Sequence, residues 1–192
     1  MKKILLVLTA TFLLFSHNAL SKIYIWGEFS GWEVGIIEEA NFGCYILSPV
    51  YDDGSVMKIG YVNIPDIETP FYMYLMNLNW SSINDGDIYP MEINFTPFKS
   101  FYDGDALVED VLGFKALSFK ITDPDFLIDF AKKDAIDFQY NEQSIAYLEL
   151  NGSYVAINEL LSCQEAVEER SGVTNTAAKR NLKQKSSRDP FR

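Results

Sequence analysis

Carboxylates dominate the reactive groups of this chain. Its 192 residues hold 27 Asp and Glu against 16 Lys and Arg, with one histidine and two cysteines. Glu28, Glu33, Glu92, Asp103 and Asp105 lie near aromatic residues that can desolvate a carboxyl and raise its pKa, as carboxylate-based glycoside hydrolysis requires. That chemistry depends on two carboxyl groups held at a set separation in space, and spacing along the chain singles out no pair. Asp85-Gly86-Asp87 and Asp103-Gly104-Asp105 offer oxygen ligands for a hard cation, but neither carries the full Asp-x-Asp-x-Asp-Gly loop with its distal Glu. Both are read as turns. No metal and no cofactor is implied.

The remaining chemistry is set by what the mature chain lacks. Residues 1–21 open with Lys2 and Lys3, run apolar from Ile4 to Phe15, and end on the small residues Ala19 and Ser21 around Leu20. This is the pattern of a signal peptide, and its apolar run falls short of the ~20 residues that span a bilayer. His17 leaves with it, which excludes Ser-His-Asp and Cys-His catalysis, histidine metal ligation and histidine pH switching. From Lys22 to Cys163 there is no arginine, and seven lysines stand against 23 acidic residues, a formal charge of −16. Such a body repels nucleic acid and attracts cations. From Ser171 onward the sign reverses: Lys179, Arg180, Lys183, Lys185, Arg188 and Arg192 face Asp189 alone, a charge of +5. Residues 171–192 are read as a disordered basic tail.

Residues 22–170 have the length of one domain with one core. Runs of β-branched and aromatic residues recur at Ile23 to Trp26, Trp32 to Ile37, Phe42 to Leu47, Val56 to Val62, Phe71 to Leu78, Ile88 to Phe95 and Phe114 to Ile121. Between them stand Ser30-Gly31, Asp52-Asp53-Gly54, Asn63 to Pro70, Asn84 to Asp87 and Asp103-Gly104, all turn-forming combinations. Ala135 to Tyr140 and Ser144 to Leu150 form a further hairpin about Asn141-Glu142. Two helices are expected: one capped by Asp123 with Pro124 in its first turn, and one following Asn151-Gly152-Ser153. In the second, Ala156, Leu160, Cys163 and Val167 recur at helical spacing and point Cys163 inward. The expected fold is therefore mainly β, an antiparallel β-sandwich-like domain with two C-terminal helices. An exported chain with two cysteines pairs them, which predicts a Cys44 to Cys163 disulfide between an early strand and the last helix.

Several of these residues together resemble a diffuse group of secreted or periplasmic bacterial proteins. They are Gly31-Trp32-Glu33-Val34, Cys44, Tyr51-Asp52-Asp53-Gly54, Trp80 with Gly86 and Tyr89, and Leu150-Asn151-Gly152-Ser153 leading to Cys163. The opening tryptophan and the Gly-Ser helix are more remotely similar to the invasion-associated locus B proteins of bacterial envelopes. The resemblance implies a fold and a compartment, and brings no catalytic or binding residue. Separately, Ile25-Trp26-Gly27-Glu28-Phe29-Ser30-Gly31-Trp32 looks like the first strand and turn of glycogen- or starch-binding modules.

Aromatic side chains are the remaining binding candidates, because their faces stack on sugars and fill protein interfaces. Trp26, Phe29, Trp32, Tyr51 and Trp80 are the candidate binding residues, although strand alternation sends one face of every strand into a core. The expectation is a periplasmic or secreted, non-catalytic binding protein of the bacterial envelope. Its acidic body would recognise a basic protein as an inhibitor, immunity or accessory protein. The alternative is a carboxylate-based glycoside hydrolase or a carbohydrate-binding module.

Overall fold

The computed structural model describes residues 22–38, 41, 43–62, 71–97, 100–111 and 113–171. The expected signal peptide, the turn from Asn63 to Pro70 and the tail beyond Ser171 lie outside the described residues. Among the described residues ten antiparallel strands follow one another as β1 (Ile23–Phe29), β2 (Trp32–Ile37), β3 (Gly43–Leu47), β4 (Ser55–Tyr61), β5 (Phe71–Asn77), β6 (Ile88–Thr96), β7 (Ser100–Val111), β8 (Phe114–Ile121), β9 (Ala135–Tyr140) and β10 (Gln143–Glu149). Helix α1 (Pro124–Lys132) separates β8 from β9, and α2 (Ser153–Ser171) follows β10. Hydrogen bonding joins all ten strands into one sheet in the order β1-β2-β3-β4-β5-β8-β7-β6-β9-β10.

The expected sandwich takes the form of this single sheet folded over on itself. Phe119 of β8 and Phe138 of β9 are three places apart in the strand order, yet their ring centroids lie 5.8 Å apart across the interior. At one end the fold closes further. The Trp32 indole donates to the Asn151 carbonyl at 2.8 Å, and the Tyr51 hydroxyl donates to the Glu149 carbonyl at 2.7 Å. Residues from the first three strands and their loops are thus tied to the turn between β10 and α2.

Local chemistry explains the two helices. Asp123 accepts from the Asp125 amide as N-cap, Pro124 occupies the first turn, and Lys132 lies in the last turn. Phe126, Leu127 and Phe130 are buried beneath it. On α2 the stripe Ala156, Leu160, Cys163 and Val167 is buried as its spacing requires, and Cys163 is bonded to Cys44 with 6.1 Å between Cα atoms. Beside the disulfide the buried Gln164 amide oxygen accepts from the Cys44 N–H at 3.0 Å. The Ser153 hydroxyl donates to the Phe130 carbonyl at 2.8 Å, joining the start of α2 to the end of α1.

One expected turn is corrected. Asp103-Gly104 lies inside β7, where Asp103 pairs with Glu92 and Gly104 with Met91 of β6. The chain reverses instead twice: before Ser100, where β7 begins its antiparallel pairing with β6 at Phe95, and between β7 and β8 at Gly113, whose φ of 85° lies in the left-handed region that glycine accepts. Polar residues are accommodated in β7 because Asp103, Gly104 and Asp105 are exposed there.

Gly31 and Gly152 both have positive φ, 86° and 84°, but their surroundings differ. A Cβ on Gly31 would meet open space, whereas one on Gly152 would lie 2.6 Å from the Ser30 Cβ and carbonyl oxygen. Gly31→Ala is therefore expected to cost about 1 kcal/mol from backbone conformation alone, and Gly152→Ala at least about twice that. Urea unfolding of the two variants measures the difference.

Candidate functional site

The fold opens where a ladder stops. β7 and β8 pair from Val111↔Phe114 to Leu107↔Ser118 and no further. Beyond that point β7 continues against β6 through Ser100, while β8 continues against β5 through Ile121. Continued pairing would have set Asp105 opposite Lys120 and Gly104 opposite Ile121. The strands instead separate around a cleft of about 510 Å³. Met73, Ile93, Phe119, Ile121 and Phe126 form its apolar floor, with Phe126 supplied by α1. Asp103, Asp105, Glu109 and Asp123 line it on the outside with Lys120, so carboxylates predominate.

Neighbouring groups show the same negative field. The Tyr102 hydroxyl, in the cleft wall, donates to the Asp129 carboxylate at 2.9 Å. Burial raises its pKa well above the ordinary tyrosine value, and Asp129, Asp123 and Asp125 push it the same way. Tyr74, on β5, is raised by burial and then by Glu109. An apolar floor under a carboxylate rim suits a group with a hydrocarbon stem and a cationic head, the composition of a lysine or arginine side chain.

Four of the five carboxylates singled out in the sequence fall into two cross-strand pairs, while Asp105 stands opposite Pro90. Glu28 stands opposite Glu33 across β1 and β2, and Glu92 opposite Asp103 across β6 and β7. Glu33 accepts the Tyr45 hydroxyl at 2.7 Å. Asp85 and Asp87 spend their oxygens on local structure: Asp85 accepts from the Asp110 amide, and Asp87 from the Asn84 amide and side chain. Among the described residues no group of three or more His, Cys, Asp or Glu is arranged to hold a metal ion.

The five aromatic candidates do not form one platform. Trp32 is 1% exposed and packs edge-on against Phe130 at 5.6 Å, so its ring belongs to the core. Tyr51 is half-buried over the β10 end, and burial, Glu149 and Asp53 push its pKa up to about 12. Phe29 and Trp80 are partly buried against the core. Trp26 alone of the five is exposed, on β1. The cleft was not among the sequence-derived sites. Its trace there is the acidic pair flanking Gly104, which reads equally well as a turn.

A second concavity, about 440 Å³, crosses the outer face of the sheet and is lined by Ile23, Ile25, Leu47, Val56, Met76 and Phe114 among others. At its polar side the Lys58 ammonium lies 4.4 Å from the centre of the Tyr45 ring and 6.0 Å from that of Tyr72. Both rings lie across glycines: a Cβ on Gly35 would strike Tyr45, and one on Gly60 would strike Tyr72.

No protein-family model matches the sequence, and no curated protein matches it. The structure is similar to the crystal structure of invasion associated protein B from Bartonella henselae, with a TM-score of 0.51 and 11% identity, covering 77% of this chain and 99% of that one. At that identity the likeness shows the fold alone. It supports a remote relationship of the kind expected from Trp32 and the Gly152-Ser153 helix start. Among the described residues no helix is long and apolar enough to cross a membrane.

The raised tyrosines fix the sign of the alkaline response. Tyr45, Tyr51, Tyr61, Tyr72 and Tyr102 hold their protons in the folded chain to higher pH than in the unfolded one, burial being the first cause for each. Their contribution is complete below about pH 10, the unfolded value, and is lost as pH rises through the folded values. The urea midpoint is therefore expected to fall from pH 10 to 12, with tyrosinate absorbance appearing as the chain unfolds. A flat or rising midpoint over that window would contradict the assignment.

Proposed function

We propose that this is an exported, non-catalytic binding protein of the bacterial envelope, whose acidic body recognises a cationic protein and whose β7–β8 cleft receives one of that partner's basic side chains. The observation that carries this reading is the cleft itself, with Phe119, Ile121 and Phe126 below and Asp103, Asp105, Glu109 and Asp123 around it. Desolvating the stem of a lysine or arginine on the floor adds hydrophobic free energy to the attraction of its head for the rim. The wider body charge of −16 steers a cation toward the same surface. Export is supported by the leader sequence and by the Cys44–Cys163 disulfide, a bond that persists in oxidising compartments. An inhibitor, an immunity protein and an envelope accessory protein all fit these features.

The test is capture from envelope extract on the immobilised protein, washed first at low and then at high salt. A basic protein is expected to be retained and then released by salt. Asp103→Asn with Asp105→Asn is expected to weaken its binding about tenfold, which corresponds to roughly 1.4 kcal/mol. Gly104→Trp should abolish binding by filling the cleft, since the space beside Gly104 is open and its φ is not in the left-handed region. Equal retention by the native protein and both variants, or retention of polysaccharide regardless of salt, would overturn the proposal.

A further inference from the structure

Among the described residues the sheet ends in two unpaired edges, β1 and β10, which are protected differently. At β10 the polar Gln143, Ser144 and Glu149 are exposed around a single exposed ring, Tyr147, and the Tyr51 hydroxyl already occupies the Glu149 carbonyl. β1 presents four large apolar side chains in succession: Ile23, Tyr24, Ile25 and Trp26 are 46%, 47%, 61% and 39% exposed. No proline or charge interrupts them, although edge strands commonly carry such residues to prevent pairing. The irregularity in β1 comes only after Ile25, where the register with β2 shifts.

Main-chain direction shows what this edge can bind. The Lys22 carbonyl accepts from the Glu38 N–H, and Tyr24 pairs with Ile36 of β2. Because successive residues of an antiparallel strand turn their N–H and C=O groups to alternate sides, those of Ile23 and Ile25 point to the open edge. We propose that a second copy of this chain pairs there, β1 against β1, antiparallel about a two-fold axis through Tyr24. Ile23 of each copy then lies opposite Ile25 of the other, and Lys22 opposite Trp26, where an ammonium can rest on an indole face. The hydrogen-bonded part of the ladder, Ile23 to Ile25, ends before the irregularity, and Trp26 at the irregularity contributes only its side chain. On the outer face Ile23 and Ile25 also line the apolar groove, so the second copy extends that groove across the axis.

The size of the contact sets its strength. The four side chains expose on the order of 400 Å² per copy, so two copies approach the ~1,000 Å² lower limit of a specific interface. Each chain also carries a formal charge of −11. The dimer is therefore weak, and salt strengthens it by screening the repulsion. This is opposite to the salt response of the cationic partner, so failure of one inference is distinguishable from failure of the other.

Sedimentation equilibrium of the purified protein over a range of concentration and salt is the test, with Tyr24→Cys as a register-specific probe. A dimer favoured by salt is expected, with Ile25→Lys raising its dissociation constant at least tenfold. Tyr24→Cys is expected to oxidise to a covalent dimer, while Trp26→Cys, facing Lys22, is not. Ile25 is largely exposed, so its replacement leaves the core intact. A protein that stays monomeric at every salt concentration and gives no Tyr24→Cys dimer would overturn the proposal, as would a dimer indifferent to Ile25→Lys.

Discussion

The fold depends on the fastening of α2 across the beginning of the sheet. A ten-stranded sheet in one hydrogen-bonded series has no intrinsic reason to close, because each strand is satisfied by its immediate neighbours. Closure comes from contacts distant in sequence. Cys44 and Cys163, separated by 119 residues, are covalently joined, and Gln164 next to them satisfies the Cys44 amide. Ser153 ties the same helix to the end of α1, and the Asn151 carbonyl receives the Trp32 indole. In the chain-entropy model, a crosslink over a loop of about this length contributes close to 4.7 kcal/mol. The hydrogen bonds matter chiefly because the groups they satisfy would otherwise be buried without partners.

With those ends fixed, the sheet must turn back somewhere, and it does so between β7 and β8. Five residue pairs join these strands before β7 leaves with β6 and β8 with β5. The separation opens a cleft against side chains that remain buried, with Phe126 of α1 at its base. Asp103 and Asp105 are tolerated because this half of β7 has lost its neighbour on one side and lies in water. The same geometric event thus produces both the apolar floor and the charged rim. The cleft is a consequence of how the sheet folds over.

The sequence conveyed local structure well and long-range geometry poorly. β2 and β8 occupy the expected residues, Asp123 caps α1, and the helical stripe through Cys163 is buried. Each is set by neighbours within a few positions. β7 was illegible because Asp103-Gly104-Asp105 has the composition of a turn, and only pairing with Glu92 and Met91 shows it to be extended. Trp32 carries no mark in the sequence to distinguish a core ring from a surface one; its burial follows from Phe130, nearly one hundred residues away. The cleft was invisible for the same reason, since no local feature of Leu107 or Ser118 records that their ladder ends there.

The proposed function requires the cleft to be the place where positive charge is received. Amide NMR spectra of the protein, titrated with a short oligolysine peptide at low salt, test this most directly. The largest shifts are expected at Gly104, Asp105, Lys120 and Thr122, reversed by added salt. Shifts spread over the acidic surface generally, with these four amides unmoved, would contradict it.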